Sequence, residues 1–176
     1  MLGEIAHGQR CLAIAGTHGK TTTSTLLSHL FTDSGEGCSA FLGGISKNYG
    51  SNLLTHGNDV IVAEADEFDR SFLQLFPEIA VITSMDADHL DIYGDESHIR
   101  EAFKAFASQV SGCVIVKHGL DITEQDTKAR ICTYAYRDSN ADFYAEPTEY
   151  GHFNLHYPGG VIEDCVVGIP GWVNIE

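Results

Sequence analysis

The part of this sequence best suited to hold a phosphate chain is the run Gly16-Thr17-His18-Gly19-Lys20-Thr21-Thr22. Glycines let a backbone approach an anion closely, and the N–H groups at the start of a helix donate hydrogen bonds to it. Lys20 adds a positive charge, and the Thr21 hydroxyl suits a Mg²⁺ ion. The strict phosphate-loop pattern has glycine where Ile14 stands, so the sequence predicts a variant loop. The alternative is a chance turn, which the apolar run before this segment and the helical pattern after it disfavour.

A second candidate is the acidic segment Glu64-Ala65-Asp66-Glu67-Phe68-Asp69, which follows the apolar run Val60–Ala63. A carboxylate at the carboxyl end of a parallel strand faces the crevice in which ligands bind. Hard cations such as Mg²⁺ take oxygen ligands, so Glu64 is a candidate metal ligand. The alternative is that these acidic residues form an ordinary solvated loop.

A third candidate, Ser84-Met85-Asp86-Ala87-Asp88-His89-Leu90-Asp91, follows the apolar run Ile79–Thr83. A histidine among carboxylates suggests a metal site or a role in proton transfer, although surface histidines in such company are common. All three candidate segments follow predicted strands, so a parallel sheet would bring them to one edge. That shared position favours a single site.

The elements that must position these residues follow from the apolar pattern. Continuous apolar runs predict buried strands at residues 11–15, 60–63, 79–83, 113–116 and 131–135. Helical patterns cover residues 21–34 and a second segment that begins at Ser97, where Ile99, Ala102, Phe103, Phe106 and Val110 form one stripe. The sequence therefore predicts an α/β fold, a mostly parallel sheet flanked by helices and similar to that of P-loop NTPases. Alternation in Phe153–Tyr157 and a turn at Pro158–Gly160 add a C-terminal antiparallel β-hairpin.

Composition narrows the classes of partner. The chain has 176 residues, a length typical of one domain, and a formal net charge of −15. This charge disfavours binding to nucleic acid or to an anionic membrane. The sequence has no apolar run long enough for a transmembrane helix, no signal-peptide pattern and no CxxC pair among its five cysteines. We therefore expect a cytoplasmic protein with free thiols that binds neither nucleic acid nor a membrane.

The segments GTHGKTTT, AEADEFDRSF and DADHLD followed by YGD resemble the central ATPase domain of the Mur ligases. These are ATP-dependent enzymes that form amide bonds in peptidoglycan precursor synthesis. The resemblance extends from about Arg10 to Asn174. It implies that residues 1–176 are the central ATP-binding domain, with an N-terminal UDP-sugar-binding domain and a C-terminal amino-acid-binding domain outside this chain. The HGKTTT and EADE versions are most similar to the branch that adds L-alanine to UDP-N-acetylmuramate.

The resemblance also implies a mechanism and roles for residues. ATP would phosphorylate the lactyl carboxylate of the sugar, and the amine of L-alanine would attack the acyl phosphate. Lys20 and His89 match catalytic positions, while Thr21, Glu64 and His89 match Mg²⁺ ligands. Asn174 matches a residue near the adenine, and the segments Gly43–Gly44 and Asp69–Ser71 would lie toward the UDP-sugar. On this interpretation the isolated chain would not complete the ligation.

Four positions qualify the resemblance. Ser84, Asp86 and Val173 stand where the family usually has Asn, Glu and His. Lys104 lies at the offset of a lysine that is carbamylated in some members. Three other functions remain open: a sister ligase that attaches a recycled murein peptide to the same UDP-sugar, a kinase or hydrolase with a phosphate loop, and a non-catalytic nucleotide-binding module.

Overall fold

A computed structural model describes residues 2–86, 96–149, 151–169 and 171–176 of the chain. The α-helices are α1 (Leu2–Ala6), α2 (Lys20–Asp33) and α3 (Glu96–Ser108). The strands are β1 (Arg10–Ala15), β2 (Ser39–Ser46), β3 (Ser51–Leu54), β4 (Val60–Glu64), β5 (Ile79–Ile82), β6 (Cys113–Lys117), β7 (Arg130–Tyr136), β8 (Phe143–Pro147), β9 (His152–Tyr157) and β10 (Gly160–Val166). Two 3-10 helices span Phe68–Gln74 and Trp172–Asn174.

All ten strands form one sheet in the order β10-β9-β8-β7-β6-β5-β1-β4-β2-β3. The seven strands from β8 to β2 in that order are mutually parallel. β3 is antiparallel at one end, and β9 and β10 are antiparallel at the other. The predicted α/β fold and the C-terminal hairpin are therefore confirmed. Because β4 and β5 flank β1, their carboxyl ends lie side by side.

The central strands are apolar except at their ends because both faces of the sheet are covered. Ala13, Ile14 and Ala15 of β1 are fully buried. One side of the core is built on the α3 stripe, where Phe103 and Phe106 pack against Phe72 from the first 3-10 helix. The ring centroid of Phe72 lies 5.4 Å from the ring centroid of Phe103 and 5.0 Å from that of Phe106. The apolar stripe predicted for this helix is thus the face that it buries.

Several elements go beyond the sequence prediction, namely β2, β3, β8, the short α1 and the 3-10 helices. β2 carries Gly43 and Gly44 in its interior, and glycine is unusual there. Its pairing with β3 shifts register between Phe41 and Ser46. Within the ranges that the structure describes, no helix has both the length and the apolar character needed to cross a membrane.

Candidate functional site

The loop between β1 and α2 turns sharply at two glycines. Gly16 has φ +130° and Gly19 has φ +83°, both in the region that favours glycine. A Cβ at Gly16 would also collide with Thr83 and Ser84, which follow β5. The loop can therefore lie against the neighbouring strand end only because this position lacks a side chain.

Residues after β5 brace the same loop through hydrogen bonds. The Ser84 Oγ atom lies 2.8 Å from Thr17 Oγ1 and accepts a hydrogen bond from the His18 N–H at 2.9 Å. The Asp86 N–H donates to Thr17 Oγ1 at 3.2 Å. The Ser84 hydroxyl therefore contacts both the side chain of Thr17 and the backbone of His18. The first and third candidate segments thus meet, as their positions after strands predicted.

The start of α2 presents free donors to this loop. Gly19 is the N-cap residue and makes no side-chain capping bond. The first N–H groups of a helix have no partner within the helix, and its dipole favours negative charge there. Since α2 begins at Lys20, the N–H groups of Lys20, Thr21 and Thr22 lie at this terminus. The geometry suits a phosphate group.

Lys20 points its ammonium back toward the loop. Its Nζ donates to the Gly16 carbonyl oxygen at 2.8 Å and to the two carboxylate oxygens of Glu67 at 3.0 and 2.8 Å. A carboxylate oxygen of Asp66 lies 3.9 Å away. The Glu67 side chain is 1% exposed and that of Lys20 is 13% exposed. The second candidate segment therefore contributes a buried counter-charge that its sequence pattern did not single out.

Thr21 and Glu64 form a pair of oxygen donors beside the loop. The Thr21 hydroxyl donates to Glu64 Oε1 at 2.9 Å, and Glu64 Oε2 accepts from the Gly43 N–H at 2.7 Å. A hydroxyl and a carboxylate next to a phosphate site are donors that Mg²⁺ accepts, with waters and phosphate oxygens completing its shell. In the described ranges no three His, Cys, Asp or Glu side chains gather as a metal site. A Mg²⁺ site of this type needs only one or two protein carboxylates, so these residues fit the ion.

A cavity of about 430 Å³ extends from the loop over the ends of β5, β6 and β7. Its apolar surface includes Val81, Ile115, Tyr134, Trp172 and Val173, while His18, Gly19, Thr23 and Lys117 contribute polar atoms. This combination of an apolar slot and an adjoining anion-binding loop suits an aromatic base linked to a phosphate chain.

Two of the residues that line this cavity form a charged pair. Lys117 Nζ donates to a carboxylate oxygen of Glu176 at 2.8 Å. Burial and the nearby Glu176 carboxylate raise the pKa of the Tyr134 phenol, so it stays protonated. Tyr134 therefore contributes an uncharged side chain to the cavity lining.

The other expected site residues are placed as follows. Thr22 is exposed on the first turn of α2, and Thr23 lines the cavity. Asn174 is the last residue of the second 3-10 helix, of which Trp172 and Val173 line the cavity. The Asn174 N–H donates to the Gly171 carbonyl oxygen at 3.1 Å. His89 lies outside the described residues.

Lys104 lies on α3, where its Nζ contacts Asp121 at 2.9 Å and Asp126 at 3.6 Å. The hydrogen bond that Lys104 donates to Asp121 raises the pKa of Lys104, which disfavours the neutral amine that carbamylation requires. A second cavity, of about 270 Å³, is lined by Glu64, Asp66 and Ser71. The segment near Ser71 thus opens beside the carboxylate of the candidate metal site.

The chain is similar to known proteins over its whole length. A family described as the Mur ligase middle domain matches residues 14–176. A UDP-N-acetylmuramate–L-alanine ligase of Porphyromonas gingivalis is 46% identical over 184 residues, and one of Parabacteroides distasonis is 48% identical over 184 residues. Each match covers 100% of this chain and 40% of the relative, so the chain spans well under half the length of these relatives.

Solved structures have the same fold. The ligase of Neisseria meningitides that joins UDP-N-acetylmuramate to L-alanyl-gamma-D-glutamyl-meso-diaminopimelate superimposes with a TM-score of 0.84 at 23% identity. That match covers 98% of this chain and 60% of the other. The UDP-N-acetylmuramate-alanine ligase of Thermotoga maritima superimposes with a TM-score of 0.77 at 22% identity, covering 96% of this chain and 39% of the other.

Proposed function

Because this chain belongs to the Mur ligase family, as the match to the middle domain over residues 14–176 shows, we propose that it is the central ATP-binding domain of a UDP-N-acetylmuramate–L-alanine ligase. The observation that carries the proposal is the convergence of Lys20, Thr21 and Glu64 at a phosphate-binding loop. The curated relatives with 44–48% identity support the choice of L-alanine as the second substrate.

The reaction explains why these residue types stand together. A lactyl carboxylate is a poor acyl donor, and transfer of the γ-phosphoryl group of ATP converts it into a good one. Bringing that anion to a polyanionic nucleotide requires local positive charge in a chain of net charge −15. The N–H groups at the start of α2 bind phosphate oxygens, and Lys20 supplies a fixed charge. The amine of L-alanine then displaces phosphate from the acyl phosphate.

Thr21 and Glu64 are the residues that would hold Mg²⁺. When bound, the ion would neutralise charge on the phosphate oxygens. The Gly43 N–H donates a hydrogen bond to the Glu64 carboxylate at 2.7 Å, so the chain itself orients this proposed ligand. His89 is proposed as the ligand of a second Mg²⁺ on the family resemblance alone.

The 430 Å³ cavity is proposed to take the adenine. Tyr134, Trp172 and Ile115 offer apolar and aromatic surface to a flat base. Val173, which stands where the family usually has His, adds aliphatic contact and no hydrogen bond. Asn174 and Thr22 are proposed to contact the nucleotide from the second 3-10 helix and from the first turn of α2.

Calorimetric titration of Mg·ATP into the chain tests this assignment. We expect binding by the wild-type chain and no measurable binding by Lys20→Ala, because the substitution removes the cation of the loop. Lys104→Ala is the matched control, since Lys104 pairs with Asp121 on α3 and lines none of the cavities described above. Absence of binding to the wild-type chain, or equal binding by the Lys20 variant, would contradict the proposal.

A further inference from the structure

The contact between Lys20 and Glu67 is not explained by phosphate binding itself. A lysine ammonium has three N–H donors. Lys20 Nζ lies within 3.0 Å of three acceptors, namely the Gly16 carbonyl oxygen and both Glu67 oxygens. All three donors therefore have acceptors within the chain, and a phosphate group has to displace at least one of these acceptors.

The two kinds of acceptor differ in how readily they can be given up. The Gly16 carbonyl is neutral and belongs to the loop that turns toward the ligand. The Glu67 carboxylate is charged and its side chain is 1% exposed, so losing the Lys20 contact would remove a counter-charge from a group that water does not reach. The Gly16 carbonyl oxygen is therefore the acceptor that Lys20 can give up without separating two buried charges.

We propose that Glu67 is the positioning residue of Lys20, and that by engaging the ammonium it lowers the affinity of the loop for phosphate groups. This inference rests on the proposed function, in which the loop binds the phosphates of ATP. Glu67 keeps the ammonium at the mouth of the loop while nucleotides exchange. It also offsets the lysine charge, which weakens the hold on ADP and favours its release after each reaction.

Asp66 provides a matched comparison in the same segment. Its Oδ1 lies 3.9 Å from Lys20 Nζ, beyond hydrogen-bond distance, and its side chain is 57% exposed. Glu67→Gln and Asp66→Asn each remove one negative charge near the ammonium. Only the first removes a charge that is both buried and hydrogen-bonded to Lys20.

The test is calorimetric titration of inorganic pyrophosphate and of Mg·ADP into the wild-type chain and both variants, with adenosine as a ligand that lacks phosphate. We expect Glu67→Gln to bind pyrophosphate about tenfold more tightly, equivalent to roughly 1.4 kcal/mol, and Asp66→Asn to change its Kd less than about twofold. Adenosine affinity should be the same in all three proteins. A purely structural role for Glu67 would not tighten binding.

Equal tightening in both variants would overturn the inference, since it would indicate only the general field of the protein. Unchanged or weaker pyrophosphate binding by Glu67→Gln would also overturn it. If circular dichroism shows that Glu67→Gln does not fold, Glu67→Asp is tested instead. This substitution shortens the side chain by one methylene and should tighten pyrophosphate binding by a smaller factor. An unchanged Kd for pyrophosphate would overturn the inference. Failure of the wild-type chain to bind either ligand overturns the proposed function, and this inference with it.

Discussion

At the scale of single residues, Gly43 shows how a missing side chain can hold a functional group. The Glu64 carboxylate lies where a Cβ at position 43 would stand, and it accepts a hydrogen bond from the Gly43 N–H. The neighbouring Gly44 is different, because a Cβ there would meet only the Thr21 methyl group at 3.5 Å, an ordinary contact. Gly43 is therefore a steric requirement of the candidate metal site.

Gly43→Ala should displace Glu64 and weaken Mg²⁺-dependent nucleotide binding about tenfold. Gly44→Ala should change this affinity less than about threefold. Each variant adds one methyl group, and the two positions are adjacent in β2. Calorimetric titration of ADP with and without Mg²⁺ measures the difference. If both variants lose the same affinity, the cause is distortion of β2, and the role assigned to Gly43 is wrong.

Lys20 and Glu67 show what the sequence reveals at this scale and what it conceals. Lys20 could be assigned because glycines and threonines surround it in a pattern tied to phosphate chemistry. Glu67 is one of several acids in its segment, and nothing in that pattern marks it as buried. Its partner lies 47 positions away along the chain, so only the packing of β1 beside β4 brings them together.

At the scale of elements, Asp142 ties the end of the connection between β7 and β8 back to β7. Asp142 Oδ2 accepts hydrogen bonds from the Thr133 N–H at 2.7 Å and from the Thr133 hydroxyl at 2.9 Å. These bonds lower the pKa of Asp142 below its usual range. The charged form is favoured in the folded chain, so its stabilisation is present above the pKa of the unfolded chain and is lost as pH falls through the folded value.

Asp142→Asn should therefore unfold at lower urea concentration than the wild-type chain at pH 7. The gap between the two midpoints should narrow as pH falls below about 4, the ordinary pKa of an aspartate. Urea titrations at pH 7, 5, 4 and 3 measure this gap, with Glu163→Gln on the exposed strand β10 as the control for charge alone. A gap that is constant with pH would contradict the assignment.

The strands that the sequence predicts are mostly those that the fold buries on both faces. β1, β4 and β5 were recognisable as continuous apolar runs because both faces of the sheet are covered there. β2 was missed because Gly43 and Gly44 interrupt its pattern, and β8 because Phe143–Pro147 includes Glu146 and a terminal proline. Gly43 leaves room for Glu64 at the candidate metal site, although glycine has a low propensity for strands. Strand propensity and function therefore conflict at this residue of β2.

At the scale of the whole molecule, one edge of the sheet carries every part of the candidate site that the structure describes. The phosphate loop follows β1, Glu64 ends β4, and Thr83 to Asp86 follow β5. The nucleotide cavity continues over β6 and β7. A parallel arrangement makes this possible, since it directs successive strand ends to the same side.

Since this chain spans 40% of the length of the Porphyromonas gingivalis relative, we propose that the sugar and amino-acid sites lie largely outside these residues in a longer protein. We expect the 176-residue chain alone to bind Mg·ATP without ligating L-alanine to UDP-N-acetylmuramate. Chromatographic analysis of a reaction mixture containing all three substrates checks this. Product that depends on both ATP and Mg²⁺ would show that the chain holds a complete active site.

The bulge in β10 bears on whether two copies of this protein can pair through the edges of their sheets. β10 ends the sheet order and exposes Val161, Ile162 and Val166, which would invite edge-to-edge aggregation with another molecule. Its pairing with β9 is interrupted between Ile162 and Cys165, where Asp164 adopts a positive φ of 55°. A strand of another molecule pairs best with a straight, uncharged edge. The kink and the carboxylates of Glu163 and Asp164 remove both properties from β10. The strand that completes the sheet therefore carries features that disfavour pairing of its outer edge with another strand.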